Sequence, residues 1–178
     1  MVPNGIAITP VGVVHNEQKE VVPRVGSGEA WWHERALADR AARLAVSRIE
    51  IDPALDGILD GIEEFSHLLV LWWADKNRWE PEKGVRVRPM GRQDLPVTGV
   101  FATRSPVRPN LVLVTVVRLQ KRRGNTLEVT GLDAIDGSPV VDIKPMVSSD
   151  LPEEGLKVPE WLRRLEGELA QLDDEVDA

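Results

Sequence analysis

The stretch from Gly99 to Leu119, GVFATRSPVRPNLVLVTVVRL, decides the fold. Its second half, LVLVTVVRL from Leu111, is a nearly unbroken apolar run rich in β-branched residues, which is the composition of a buried strand. RRGN follows, with Gly124 and Asn125 placed to close a hairpin, and then TLEVTGL supplies a second strand. The first half is different. Pro106 and Pro109 fix φ on both sides of Arg108, so the loop is stiff, and it carries Arg104 and Arg108 to the mouth of the strand.

Working outward, five more segments carry strand signals. They are IAITPVGVV (residues 6–14), SRIEI (47–51), HLLVLWW (67–73), VRVRP (85–89) and PVVDI (139–143), the last preceded by the turn Asp136-Gly137-Ser138. HLLVLWW is continuous enough to read as buried on both faces. Strands this short and numerous, joined by Gly and Pro turns, predict a mainly β fold, either a sandwich or a closed or nearly closed barrel. Two helices interrupt it. Trp32, Leu37, Ala41, Leu44 and Ala45 recur at helical spacing between Glu29 and Val46, with charges between them, which predicts an amphipathic helix packed on the sheet. Pro159 suits the first position of a second helix, whose stripe of Trp161, Leu165, Leu169 and Leu172 requires a partner surface; the closing DDEVDA is expected to be disordered.

A chain of 178 residues with 42% apolar side chains fills one core. The expected division is a single barrel domain over residues 1–148 and a helical acidic extension over 149–178. No apolar run is long enough to span a bilayer, and MVPNGIAITP has no basic start or long apolar stretch, so a cytoplasmic protein without a membrane partner is expected. The absence of cysteine and the scattering of His15, His33 and His67 argue against metal or thiol chemistry. The net charge of −7 belongs to residues 150–178, which hold ten acidic and three basic side chains, and the rest of the chain is neutral. Inside that neutral part, residues 76–123 carry twelve Lys or Arg against three acids, enough for a phosphate-attracting surface if the folded chain gathers them on one side.

No GxGxxG, phosphate loop, GxSxG or HExxH occurs, and Ser105 lacks a neighbouring histidine and precedes a proline, so it reads as a turn residue. What remains is a set of polar residues at strand ends: Arg104, Ser105, Arg108 and Asn110; Asp133, Asp136, Gly137 and Ser138 beside Leu132; then Asp142 and Lys144.

Four segments, ITPVGVV, EEFSHLLVL, GVFATRSPVRPN and GLDAIDGSPVVDIKP, resemble in the same order the signature segments of the TsaA-like (TrmO) family. The resemblance runs from about Ile8 to Met146. It implies a small antiparallel β-barrel that dimerises and binds S-adenosylmethionine near the subunit interface, without a Rossmann glycine motif. It also implies methylation of N6 of a threonylcarbamoylated adenosine beside the tRNA anticodon, with the central basic excess meeting phosphates. By position, the cofactor-binding residues it implies are Pro23, Arg24, Asp75, Lys76, Arg104, Val114, Leu132, Asp133, Ile135 and Asp136; candidates for a catalytic role are Arg104, Asn110, Asp142 and Lys144.

The chain also departs from the resembled pattern. Leu111, Val112 and Leu113 stand where the family commonly has Pro-Ile-Gly, Asp75-Lys76 where it often has histidine and a polar residue, His15 in place of an arginine, and Met146 in place of tyrosine. These changes are expected to reshape the cofactor or acceptor pocket. Where the longer bacterial members carry a C-terminal domain, an acidic helix and tail are expected here, which would repel RNA if they lay near the site. The pairs Trp31-Trp32 and Trp72-Trp73 supply either stacking faces for a base or, the commoner arrangement, alternate core and surface packing. Three functions are compatible with these residues: a tRNA adenine-N6 methyltransferase, a paralogue that methylates a small molecule, and a noncatalytic cofactor-binding module.

Overall fold

The computed structural model describes residues 5–19, 29–152 and 154–177. Six strands close into an antiparallel barrel: β1 (Gly12–His15), β2 (Ser47–Ile51), β3 (His67–Trp73), β6 (Val112–Arg123), β7 (Thr126–Thr130) and β8 (Pro139–Pro145), in the spatial order β1-β2-β7-β6-β3-β8. A barrel, rather than a sandwich, results because β8 pairs with both β3 and β1 and leaves no free edge. The hairpin between β6 and β7 turns on Gly124 and Asn125, with Arg123 opposite Thr126. Gly12 sits where β1 crosses β2 so closely that a Cβ would lie 2.3 Å from the Glu50 carbonyl oxygen.

Alternation accounts for the core. Leu68, Val70 and Trp72 of β3 point inward with Val14, Ile49, Ile51, Val117, Leu127, Val129 and Val140, all within the buried cluster of the barrel. β3 is therefore not buried on both faces as its unbroken apolar run suggests, since Leu69, Leu71 and Trp73 point out of the barrel and are only half-buried. Two more strand predictions shrink. The run 6–14 is extended strand only from Gly12, with Ile6 exposed at 79% of its surface; Pro10 has no N–H to give to a ladder. VRVRP yields only β4 (Arg86–Val87), which pairs with β5 (Thr98–Gly99) outside the barrel.

α1 (Glu29–Leu44) lies between β1 and β2 in the chain, and a short α2 (Pro81–Gly84) precedes β4. The predicted stripe of α1 does not pack on the sheet as expected: Trp32 is buried, but Ala41, Leu44 and Ala45 are exposed, and Ala36 is the second buried position. α3 (Glu160–Asp177) is the second predicted helix, and it includes Asp173–Asp177 of the DDEVDA segment expected to be disordered, whose last residue lies outside the described ones. The continuation is physically simple, because Glu, Asp and Val after Leu172 include no helix breaker. The stripe on α3 finds its partner in α1: Trp32, Ala36 and Leu165 are buried together, with Trp31, Met90, Trp161, Leu162, Leu169 and Leu172 around them. Charges fasten this layer. The Arg92 guanidinium lies over the Trp32 ring at 4.9 Å, pairs with Asp94 at 2.7 Å and hydrogen-bonds Glu168 of α3; Arg164 of α3 reaches Asp94 at 2.6 Å. The hydrogen bond from Arg92 draws the Asp94 carboxyl down to about 2. Each tryptophan pair divides as alternate packing requires: Trp32 and Trp72 are buried, while Trp31 and Trp73 are half-exposed.

Candidate functional site: two clefts that share a wall

The stiff loop between β5 and β6 begins with a single turn, Val100–Ala102, closed by the Thr103 amide and hydroxyl, which both donate to the Val100 carbonyl at 3.1 and 2.8 Å. The Ser105 amide in turn donates to Thr103 Oγ1 at 3.2 Å, the turn role expected of that position. This geometry sets Arg104 against β6, where its Nη2 donates to the Val114 carbonyl oxygen at 2.7 Å.

Arg104, Leu113 and Asp133 form a wall with a cleft on either side. The inner cleft, about 170 Å³, is bounded by Arg35, Asp39, Ala42 and Arg43 of α1, by Asp75, Lys76 and Asn77 after β3, and by Gln18, Trp72, Ala74, Pro106 and Ile135. The outer cleft, about 420 Å³, is bounded by Leu71, Val112 and Val114 of the barrel's outward face and by Phe101, Arg108 and Asn110 of the loop. The larger volume lies in the range of about 300–1,000 Å³ usual for small-molecule sites.

The wall is held from inside the barrel. Trp72 Nε1 donates to Thr115 Oγ1 at 3.0 Å, and the Thr115 hydroxyl donates to Asp133 Oδ1. Trp72 and Thr115 are both buried, so this chain of hydrogen bonds anchors to the core an exposed carboxylate residue that lines both clefts. α1 is tied to the same loop by the Gly131 amide, which donates to the Arg43 carbonyl at 2.7 Å; Gly131 holds φ +93° there, with Val116 close behind it. The Ala74 amide donates to the Leu111 carbonyl at 2.9 Å, which joins the turn after β3 to the start of β6.

Of the positions singled out in the sequence, the fold gathers Asp75, Lys76, Arg104, Asp133 and Ile135 at the inner cleft, and Asn110 and Val114 with Arg104 and Asp133 at the outer one. Others lie elsewhere. Leu132 is buried in the core cluster. Asp136 staples the loops outside the clefts: it accepts from Lys19 Nζ at 2.7 Å and from the Asn16 amide at 3.0 Å, and the lysine holds its carboxyl below the ordinary value. Asp142 and Lys144 form an ion pair with each other at 2.6 Å on β8. Pro23 and Arg24 fall outside the described residues. Among the departures, Val112 and Leu113 line clefts, as do Asp75 and Lys76, whereas the Met146 amide bonds the His67 carbonyl at 3.0 Å beyond both. The four α1 residues were missed, because charges on an amphipathic helix read as its solvent face. Their spacing at 35, 39, 42 and 43 on one side of that helix was the available signal.

The central basic excess is partly spent within the fold. Arg92 clamps α3; Arg122 donates to the Leu59 carbonyl at 2.9 Å and pairs with Asp60 at 3.0 Å; Arg88 donates to the Leu95 carbonyl at 2.6 Å. Arg104 and Arg108 are the arginines of that stretch found in the outer cleft.

Residues 34–150 match the family model described as the tRNA-methyltransferase O N-terminal domain. The chain belongs to that family. This is the TrmO type of S-adenosylmethionine-binding methyltransferase, as the signature segments imply. A probable S-adenosyl-L-methionine-binding protein of Pyrococcus abyssi is 32% identical over 164 residues, 92% of this chain and 80% of that one. A tRNA (adenine(37)-N6)-methyltransferase of Mus musculus is 41% identical over 115 residues, 65% of this chain but only 26% of the mouse protein. The crystal structure of TrmO from Pseudomonas aeruginosa superimposes with a TM-score of 0.62 at 25% identity, covering 88% of this chain and 62% of that one. The chain therefore spans about a quarter of the mouse protein, less than two thirds of the Pseudomonas one and most of the archaeal one. No helix among the described residues is long and apolar enough to cross a membrane.

Proposed function

We propose that this chain is a cytoplasmic S-adenosylmethionine-dependent methyltransferase that holds its cofactor in the inner cleft and methylates N6 of threonylcarbamoyl-adenosine in a tRNA anticodon loop presented at the outer cleft. The observation that carries this reading is the common wall, Arg104, Leu113 and Asp133, between a charged cleft and a wider, partly apolar one. A transfer reaction needs two ligands to meet, and this wall is where they would meet.

The residues fit the cofactor. Its zwitterionic end asks for carboxylate and cationic partners together, and the inner cleft offers Asp39, Asp75 and Asp133 beside Arg43, Lys76 and Arg104. Bound S-adenosylmethionine supplies an electrophilic methyl group with its own leaving group, so little is asked of the protein beyond alignment and proton management. Asp133 is the carboxylate lining both clefts. Its core-anchored position suits it to take the proton that the acceptor nitrogen gives up as the N–C bond forms. Arg104, held at one nitrogen by the Val114 carbonyl, keeps further N–H donors for a carboxylate.

A homodimer is part of the reading. Leu69, Leu71 and Trp73 of β3 lie opposite Val116, Val114 and Val112 of β6 on the outward face, and Val114 and Val116 are 45% and 42% exposed. The part of this apolar strip beyond the outer cleft, around Leu69 and Val116, is suited to cover by a second copy.

Incubation with methyl-labelled S-adenosylmethionine and threonylcarbamoylated tRNA tests the whole: label at the modified adenosine supports it, and label absent from tRNA rejects it. One observation favours a second reading, a small-molecule acceptor. The family departures Val112 and Leu113 line the outer cleft, so these changes fall where an acceptor would be selected. Label recovered on a component of a small-molecule extract, with none on tRNA, would select that reading.

A further inference from the structure

Phe101 stands out in the outer cleft. It is 76% exposed, whereas Val100 beside it in the same turn is 5% exposed and anchors that turn to the protein. The position thus does not need a large apolar residue for folding. Arg108 faces it, with its guanidinium carbon 5.8 Å from the ring centroid, and among the described residues Arg108 makes no hydrogen bond or ion pair. Pro106 and Pro109 restrain the backbone on both sides of that arginine. An exposed ring with an uncommitted guanidinium beside it presents a stacking face and a fork of N–H donors in one cleft.

We propose that Phe101 and Arg108 form the acceptor-recognition platform: the Phe101 ring stacks on a planar nucleobase, and Arg108 pairs with an oxyanion that the acceptor carries next to that base. This rests on the methyl-transfer reading of the two clefts and adds to it the residues that select the acceptor. The oxyanion is either a carboxylate on the base or a backbone phosphate. Stacking on Phe101 sets the target base at the outer side of the Arg104–Asp133 wall, opposite the charged inner cleft. The loop's proline restraint means that the platform is assembled before the acceptor arrives, which lowers the ordering cost of binding.

The test uses the full chain and its Phe101→Leu and Arg108→Gln variants, with an anticodon stem-loop RNA bearing threonylcarbamoyl-adenosine and the same RNA with plain adenosine. Phe101→Leu keeps the apolar volume and removes the π-face. Each variant is expected to raise the KM for the modified RNA about tenfold, the scale of one lost base-stacking or charged contact, with cofactor affinity by calorimetry changed less than about twofold. If Arg108→Gln weakens binding of both RNAs equally, the oxyanion is a phosphate; if only the modified RNA is affected, it is the carboxylate. Unchanged KM in variants of an enzyme that methylates the RNA would overturn the platform alone. A fall in molar mass by light scattering on Phe101→Leu would also overturn it, by assigning the ring to a subunit contact. Failure of the unaltered protein to methylate either RNA would instead remove the reading on which the platform rests.

Discussion

The barrel and the helical layer that covers its inner cleft are built on opposite principles. The barrel is a closed ladder around inward-facing Val, Ile and Leu residues, and a buried polar thread, Trp72 to Thr115, ends on Asp133. The layer of α1 and α3 is held by a small patch around Trp32, Ala36 and Leu165 and by charged pairs that remain partly in water. Apolar burial of the first kind is insensitive to salt and acid, whereas the second kind is screened by one and titrated by the other. The difference teaches that the scaffold and one wall of the inner cleft can be perturbed separately.

The largest expected effect breaks the barrel. Leu68 is fully buried in β3, and Leu68→Ala should destabilise the protein by about 2–5 kcal/mol, read as a shift in the urea midpoint of a single cooperative transition. A midpoint moved by less than the cost of one exposed side chain would mean that the barrel is not the stability core. Thr115→Val comes next, since it strands Trp72 Nε1 without an acceptor and frees Asp133 from its anchor. A loss of about 1–3 kcal/mol is expected, together with weaker cofactor binding by calorimetry. Weaker binding without lost stability would show that the thread positions Asp133 and does little for the core.

How much of this was legible in the sequence follows the same division. SRIEI and HLLVLWW are found as β2 and β3 residue for residue, because β-branched and aromatic runs bounded by turns have few alternatives. The run 6–14 misled because residue type says nothing about whether a neighbour strand exists to pair with Ile6. In the site, Arg104 and Asp133 were legible through the loop chemistry and family pattern that flank them. Arg35, Asp39 and Arg43 were not, because a charge facing a cleft and a charge facing bulk water have the same helical periodicity. Asp136, Asp142 and Lys144 look like ligand groups in sequence, yet the fold pairs each with a neighbouring side chain.

Smaller effects should appear in the helical layer. Arg92→Ala removes the cation over Trp32 and both carboxylate contacts, at a cost of about 1–2 kcal/mol once solvent screening of the pairs is allowed for. Hydrogen exchange should rise across α3 and the start of α1 while the strands keep their protection, and cofactor affinity should fall because α1 lines the inner cleft. Equal loosening of β3 and β6 would mean that the two regions are one cooperative unit.

Acid offers the mildest separation of the two. The Asp94 carboxyl is held at about 2 against 3.8 for the free group, chiefly by its hydrogen bonds from Arg92. A group with a depressed folded-state value contributes stability above its unfolded value and loses it as pH falls toward the folded one, so the clamp is intact above pH 4 and fades between about 4 and 2. The Asp94 side chain is 48% exposed, which limits the contribution to a fraction of a kcal/mol, too small to unfold the barrel but enough to open a lightly held helix. Pepsin, active in this range, should therefore cut between the barrel and α3 increasingly as pH drops from 4 to 2. Asp94→Asn should begin at the higher cutting rate and show a flatter pH dependence, because one of the two carboxylate partners of Arg92, the one with the lowered pKa, is gone. If the two proteins gave parallel profiles, the acid sensitivity would lie in other carboxylates. Glu168, which also pairs with Arg92, would then be the group to replace next in the helical layer.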